Sequence, residues 1–173
     1  MQASLEQVFL NYSADKLLQL AARIATCLDM LSEEQIWMRE SETQNAIGNL
    51  VLHLCGNLRQ GIGHGVGGQS DVRMRDSEFT ARGGITTTEL RQCLETAATD
   101  AAAIIRQTTP ERLAELVAVQ GYQLTVLEAI LHVVEHFSSH AVQIIFATKL
   151  FTGEDLGFYR HLTNPAARGE TIP

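Results

Sequence analysis

The sequence predicts an all-α fold, a four-helix bundle, on three observations. Long segments carry apolar residues at helical spacing, Ser/Thr–x–x–Glu pairs mark helix starts, and neither a convincing alternating strand pattern nor an internal repeat is present. With 173 residues, 45% of them apolar, the chain reads as one domain over residues 1–173, large enough to bury a core without disulfides.

The first helix is expected from about Leu5 to Leu31, with Val8, Tyr12, Leu17, Leu20, Ile24 and Leu28 near the spacing of an apolar stripe. A second is expected from about Gln44 to Ile62, ended by glycines at 61, 63, 65, 67 and 68 in a flexible loop that continues to about Gly84. Thr86 and Glu89 form a capping box that opens a third helix over Thr87 to Gln107, and Thr109 with Pro110 starts a short turn. Thr125 and Glu128 form another box, opening a long fourth helix to about Phe151 with Gly153 as its stop. The stretch from Leu116 to Gln120 is the one strand candidate and is read as loop. The tail over 154–173 is expected to cover an edge loosely.

Charge and cysteine usage exclude several classes. Twenty acidic against thirteen basic residues give a net charge of -7, without the basic stripe that nucleic acid requires. Cys27, Cys55 and Cys93 are odd in number and have no CxxC spacing, which fits buried thiols in a reducing compartment. No basic stretch followed by an apolar run opens the chain, and no segment approaches the length of a membrane span, so a cytoplasmic protein with no membrane partner is expected.

The most informative pattern lies in the fourth helix. His132, His136 and His140 recur every four residues, and residues four apart on a helix stack on one face, so neighbouring imidazoles can close on one ion. His132 and His140 are about 12 Å apart along the axis, too far to share an ion with bonds near 2 Å. One adjacent pair must therefore do the work. The upper pair sits in H-x-x-E-H, with Glu135 in the place of a metalloprotease general base; the lower reads as H-x-x-x-H. A protease of that type needs a larger scaffold with a sheet and a further carboxylate ligand, which the sequence does not clearly offer.

A third ligand must come from a facing helix. His53 is the candidate, in a segment where Asn45, Asn49, His53 and Asn57 repeat every four residues beside an apolar stripe, as in a pocket wall. A di-iron site is excluded, because no Glu stands three residues before a His. Cysteine–histidine catalysis has little support: a buried Cys usually behaves as a small hydrophobe. His64, near the glycine-rich end of the second helix, reaches the site as a fourth ligand only if the loop folds back.

The segments LVLHLCGNLRQ, DVRMRDSEF and TVLEAILHVVEHFSSHAVQI resemble, in that order, the DinB superfamily of bacterial four-helix proteins, most closely its branch of small DinB-like proteins, and the resemblance covers nearly the whole chain. It implies a divalent-metal site of His53, His136 and His140, followed by Gln143. The usual H-x-G-Q is here His140-Ala141-Val142-Gln143, without the Gly. It also implies that His132 lies behind the ligands or in the core, while Asn49 and Asn57 of the polar stripe, with Gln143, are candidates to lie behind the ligands or in the pocket.

Three imidazoles leave a coordination position open, and imidazole suits Zn²⁺ and Ni²⁺. The resemblance implies two chemistries: metal-dependent hydrolysis, and transfer or isomerisation of substrates carried on a low-molecular-weight thiol such as mycothiol, bacillithiol or glutathione. Arg73 and Arg75 are candidates to guide an anionic small-molecule substrate; the competing reading pairs them with Asp71, Asp76 and Glu78. The competing class for the whole chain is a non-enzymatic homodimer with a structural or vestigial metal, pairing through the face opposite the pocket.

Overall fold

A computed structural model of the protein describes residues 3–163. Its long helices are α1 (Leu5–Asp29), α3 (Ile47–Leu58), α5 (Thr87–Gln107) and α6 (Val126–Thr152). Helix α1 packs on α5 and α6, and α3 packs on the same two from the other side, which places α1 and α3 at opposite corners of a four-helix bundle. Short elements connect them, α2 (Glu33–Trp37), α4 (Arg75–Thr80) and a 3-10 turn (Pro110–Ala114), and α7 (Arg160–Thr163) follows the last.

The expected helix starts at Thr86 and Thr125 are present. Each threonine side chain accepts from the backbone N–H three residues on, while Glu89 or Glu128 reaches back to the cap. Gly153 closes α6 with φ 69°, a left-handed cap that glycine adopts without steric cost. Within α1, Leu10, Ala14, Leu17, Ala21, Ile24 and Leu28 face the core. Val8 and Tyr12, expected in that stripe, are exposed instead: at about 100° per residue they lie roughly opposite Leu10. Of the tail, the part up to Thr163 is described. Leu156 and Phe158 pack on the core, and Arg23 lies over the rings of Phe158 and Tyr159 at 5.4 and 5.2 Å. The expectation for the rest of the tail falls outside the described residues.

Two corrections matter for the site. The second helix begins at Ile47 and is not ended by its glycines: Arg59–Val66 continue it as a π-helix, a form that recurs at functional sites. Gly61, Gly63 and Gly65 serve close approach there, not left-handed turns. A Cβ on Gly61 would lie 2.5 Å from Val133 Cγ2, and the first positive φ of this run is at Gly68. Second, the stretch read as loop is a β-hairpin, β1 (Leu116–Val119) and β2 (Tyr122–Thr125), antiparallel with Val119 opposite Tyr122. Gln120 and Gly121 both have positive φ, 54° and 82°, as a two-residue hairpin turn requires. Four-residue strands are too short to display the alternation that would reveal them.

Candidate metal centre

The histidine ladder spirals because 3.6 residues per turn does not divide four: each step advances about 40°. Buried Val133 and Phe137 mark the core side of α6. The ladder starts with exposed His132 and turns towards that side through the half-buried His136 and His140. Across the gap, α3 presents His53, 5% exposed. His53 Nε2 and His136 Nε2 stand 2.8 Å apart, and the His53 ring lies edge-on to His140 with centroids 5.1 Å apart. One nitrogen from each of the three rings falls within 4.8 Å of the others, the spacing of ligands around a single ion. The structure thus brings together His53 and the lower pair of the ladder. His132 only stacks on His136, at 5.9 Å.

Each outer nitrogen is assigned by its neighbour. His53 Nδ1 is 3.1 Å from Glu78 Oε2 and 3.0 Å from Arg73 Nη2; with its N–H donated to the carboxylate, Nε2 keeps its lone pair for a ligand. His140 Nδ1 is 2.7 Å from Gln143 Oε1, which accepts its N–H and leaves Nε2 for a ligand. Glu78 is held in turn by Arg73, whose Nε and Nη2 each donate to one carboxylate oxygen at 2.8 Å. Burial works against the Glu78 charge, yet the bonds from Arg73 and His53 outweigh it and hold the carboxyl below its usual range. Burial is also the main force on the ligand pair: it pushes His136 down to about 4, helped by the neighbouring histidines and Arg73. His140 is lowered by the same cause, partly offset by Gln143. Both imidazoles are therefore neutral at pH 7, the form that binds a metal.

Asn49 explains how Glu78 reaches His53. Fully buried, its Oδ1 accepts from Ala46 N–H, and its Nδ2 donates to the carbonyls of Glu78 and Ala81 at 2.9 and 3.0 Å, pinning α4 against α3. Gly56 completes the fit, because a Cβ there would collide with the Glu78 carboxylate.

The comparisons with known proteins bear on the family and the fold. The family described as "Protein of unknown function (DUF1572)", a DinB-like family, matches residues 4–168. The chain belongs to that family. A crystal structure of a DinB-like protein, YjoA, from Bacillus subtilis superimposes with a TM-score of 0.65 at 18% identity, covering 86% of this chain and 97% of that one. This likeness supports the DinB-like all-α fold. No curated protein matches the sequence.

The remaining expectations divide. Asn57 is buried beside a cavity of about 580 Å³ that opens next to His132, between the π-helix, the hairpin and α6. Its Oδ1 has no hydrogen-bond partner among the described residues. Asn45, expected on the same stripe, is exposed and precedes the helix. Arg73 is not a free guanidinium on a loop: its side chain is 3% exposed and committed to Glu78 and Gln60. Arg75 lies over the Phe79 ring at 4.9 Å, and Phe79 in turn packs against His53. His64 is not a fourth ligand, since its Nδ1 is 2.6 Å from the Gln69 carbonyl and it is outside the cluster.

Sequence reasoning missed two residues. Glu78 appeared only as an ion-pair partner of the arginines, because a carboxylate 25 positions from His53 has no local signature. Gln60 was unsuspected. Its Oε1 accepts from Arg73 and from Gln120 at the hairpin tip, and its Nε2 donates to Asp71, linking the wall of the cavity to the arginine behind the histidines.

Proposed function

We propose that this protein is a divalent-metal-dependent enzyme in which His53, His136 and His140 hold one Zn²⁺ or Ni²⁺ ion, and that its small-molecule substrate occupies the cavity beside His132. The observation that carries the reading is the convergence of three imidazole donors, with a carboxylate behind His53 and a carboxamide behind His140. Among the described residues no fourth His, Cys, Asp or Glu joins the group. A bound ion there would act as a Lewis acid and lower the pKa of a bound water to about 7.

The residues of the chain supply positioning. Glu78 fixes the tautomer and direction of His53, and Gln143 does the same for His140. Asn57 offers an unused carbonyl oxygen to an N–H or O–H of the substrate, and Val119, Tyr122, Leu124 and Leu131 form an apolar wall for its body. Such a site suits hydrolysis, or transfer and isomerisation of a group carried on a low-molecular-weight thiol whose sulfur takes the open position.

Cobalt substitution tests both halves of the proposal. The Co²⁺-loaded protein should bind one ion per chain, and adding a small thiol should produce a thiolate-to-cobalt charge-transfer band. A chain that takes up no metal, or a spectrum indifferent to thiol, azide and cyanide, overturns the open catalytic site.

One observation favours the second reading, a non-enzymatic homodimer around a structural or vestigial metal. Val142, Phe146 and Leu150 are exposed along α6 beyond the cavity beside His132. Sedimentation showing a monomer at micromolar concentration rejects that dimer.

A further inference from the structure

Behind the Arg73–Glu78 pair lies a second cavity, of about 430 Å³, that the metal reading does not use. Its lining includes two of the three cysteines, Cys55 from α3 and Cys93 from α5, together with Arg59 at the start of the π-helix. Arg59 Nη2 lies 3.4 Å from Cys93 Sγ. Cys93 is half-buried, whereas Cys55 and Cys27 are buried.

We propose that Cys93 is a peroxide-reactive thiolate and Cys55 its resolving partner, so that oxidation closes a disulfide between α3 and α5. The charge belongs on Cys93. The neighbouring Cys55 thiol and the Arg59 guanidinium, whose Nη2 donates to Cys93 Sγ at 3.4 Å and brings a positive charge, together outweigh burial and hold Cys93 well below the usual thiol range. The other charged groups lining the cavity are occupied with one another: Arg73 with Glu78, and Asp71 with Gln60 and the Arg73 backbone N–H. Arg59 is the cation left facing the sulfur.

The chemistry balances with a peroxide as oxidant. The Cys93 thiolate attacks one peroxide oxygen, forming a sulfenic acid and releasing an alkoxide or hydroxide that takes a proton from water. The Cys55 sulfur then attacks the sulfenic sulfur, the S–S bond forms, and water leaves with the Cys55 proton. Two thiols lose two electrons, which the peroxide accepts. This proposal is independent of the metal site.

Cys27 is an internal control, because burial raises its thiol above the usual range and it does not line this cavity. Iodoacetamide labelling of the folded protein against pH, read by peptide mass spectrometry, should give Cys93 a midpoint within roughly 3.5–7.5 rather than near about 8.5. Arg59→Gln, a change at an exposed side chain, should raise that midpoint. One equivalent of hydrogen peroxide should consume two thiols, lighten the protein by two hydrogens and yield linked Cys55 and Cys93 peptides, with Cys27 unchanged. In Cys55→Ser, dimedone should trap a sulfenic acid at Cys93. A Cys93 midpoint near that of a free thiol, three thiols surviving peroxide, or a sulfenic or sulfinic acid accumulating at Cys93 without the link in the unsubstituted protein would each overturn the proposal.

Discussion

The α1–α5 interface and the α3–α6 interface are built on different physics. Between α1 and α5 the buried residues are almost all aliphatic: Leu10, Ala14, Leu17 and Ala21 on one side, Leu94, Ala97, Ala98, Ala101 and Ile105 on the other, with Ser13 the polar exception. Alanines let the helix axes approach, and the contact works by removing apolar area from water. The layer of α3, α4 and α6 buries Asn49, His53, Asn57 and Glu78, each of which would cost about 1–3 kcal/mol or more if left unpaired. Three of the four are paired through bonds to residues far along the chain. The first region holds the fold, and the second spends stability on a site.

The sharpest way to break this comparison is to remove a ligand. His53→Ala or His136→Ala should abolish tight metal binding in a titration, and His140→Ala should weaken it beyond the roughly 100-fold that loss of an outer partner costs. His132→Ala should stay within that limit. If His132→Ala strips the metal and His140→Ala does not, the ladder is being used in its upper register with Glu135 as base, and the assignment fails.

In the aliphatic core the expected effect is on stability. Leu94→Ala, at a fully buried position of α5, should lower the unfolding free energy by about 2–5 kcal/mol in a denaturant titration. Metal stoichiometry at low temperature should stay at one. Loss of the metal alongside a small stability change would mean that the two regions are not separable.

Glu78→Gln keeps the shape of the side chain but removes the charge that holds Arg73 and orients His53. Metal affinity should fall about 10- to 100-fold by competition with a chromophoric chelator. An unchanged affinity would reduce Glu78 to a brace for α4.

The smallest effect is a pH dependence of the metal-free protein. His136 is pushed from its ordinary 6.5 to about 4 in the fold, so below pH 6.5 the unfolded chain binds a proton that the folded one refuses. Its contribution is fully present above about pH 6.5 and is lost as pH falls through 4. Because the ring is half-exposed, the loss is on the order of 1–2 kcal/mol. His136→Phe should flatten this part of the stability curve; an identical slope would assign it to other groups.

Local chemistry determined much of this protein before any tertiary contact. Thr86 and Thr125 with their glutamates start two helices, Gly153 ends one, and the four-residue repeat of His132, His136 and His140 marks the helix that carries the donors. These signals lie within one or two turns of chain, where backbone geometry alone sets which side chains meet.

What the tertiary structure decided is which donors are used and what stands behind them. His132 and His140 are equivalent in the repeat, and the 40° drift of the ladder separates them only once the core side of α6 is known. Glu78 meets His53 because Asn49 and Gly56 let α4 settle on α3, a contact no spacing encodes. The hairpin was hidden because strands of four residues, each mostly exposed, show no period; its pairing is supplied by the other strand. The polar half of the bundle depended on the tertiary structure because a buried polar group is specified by its partner, and the partners of these residues lie tens of positions away.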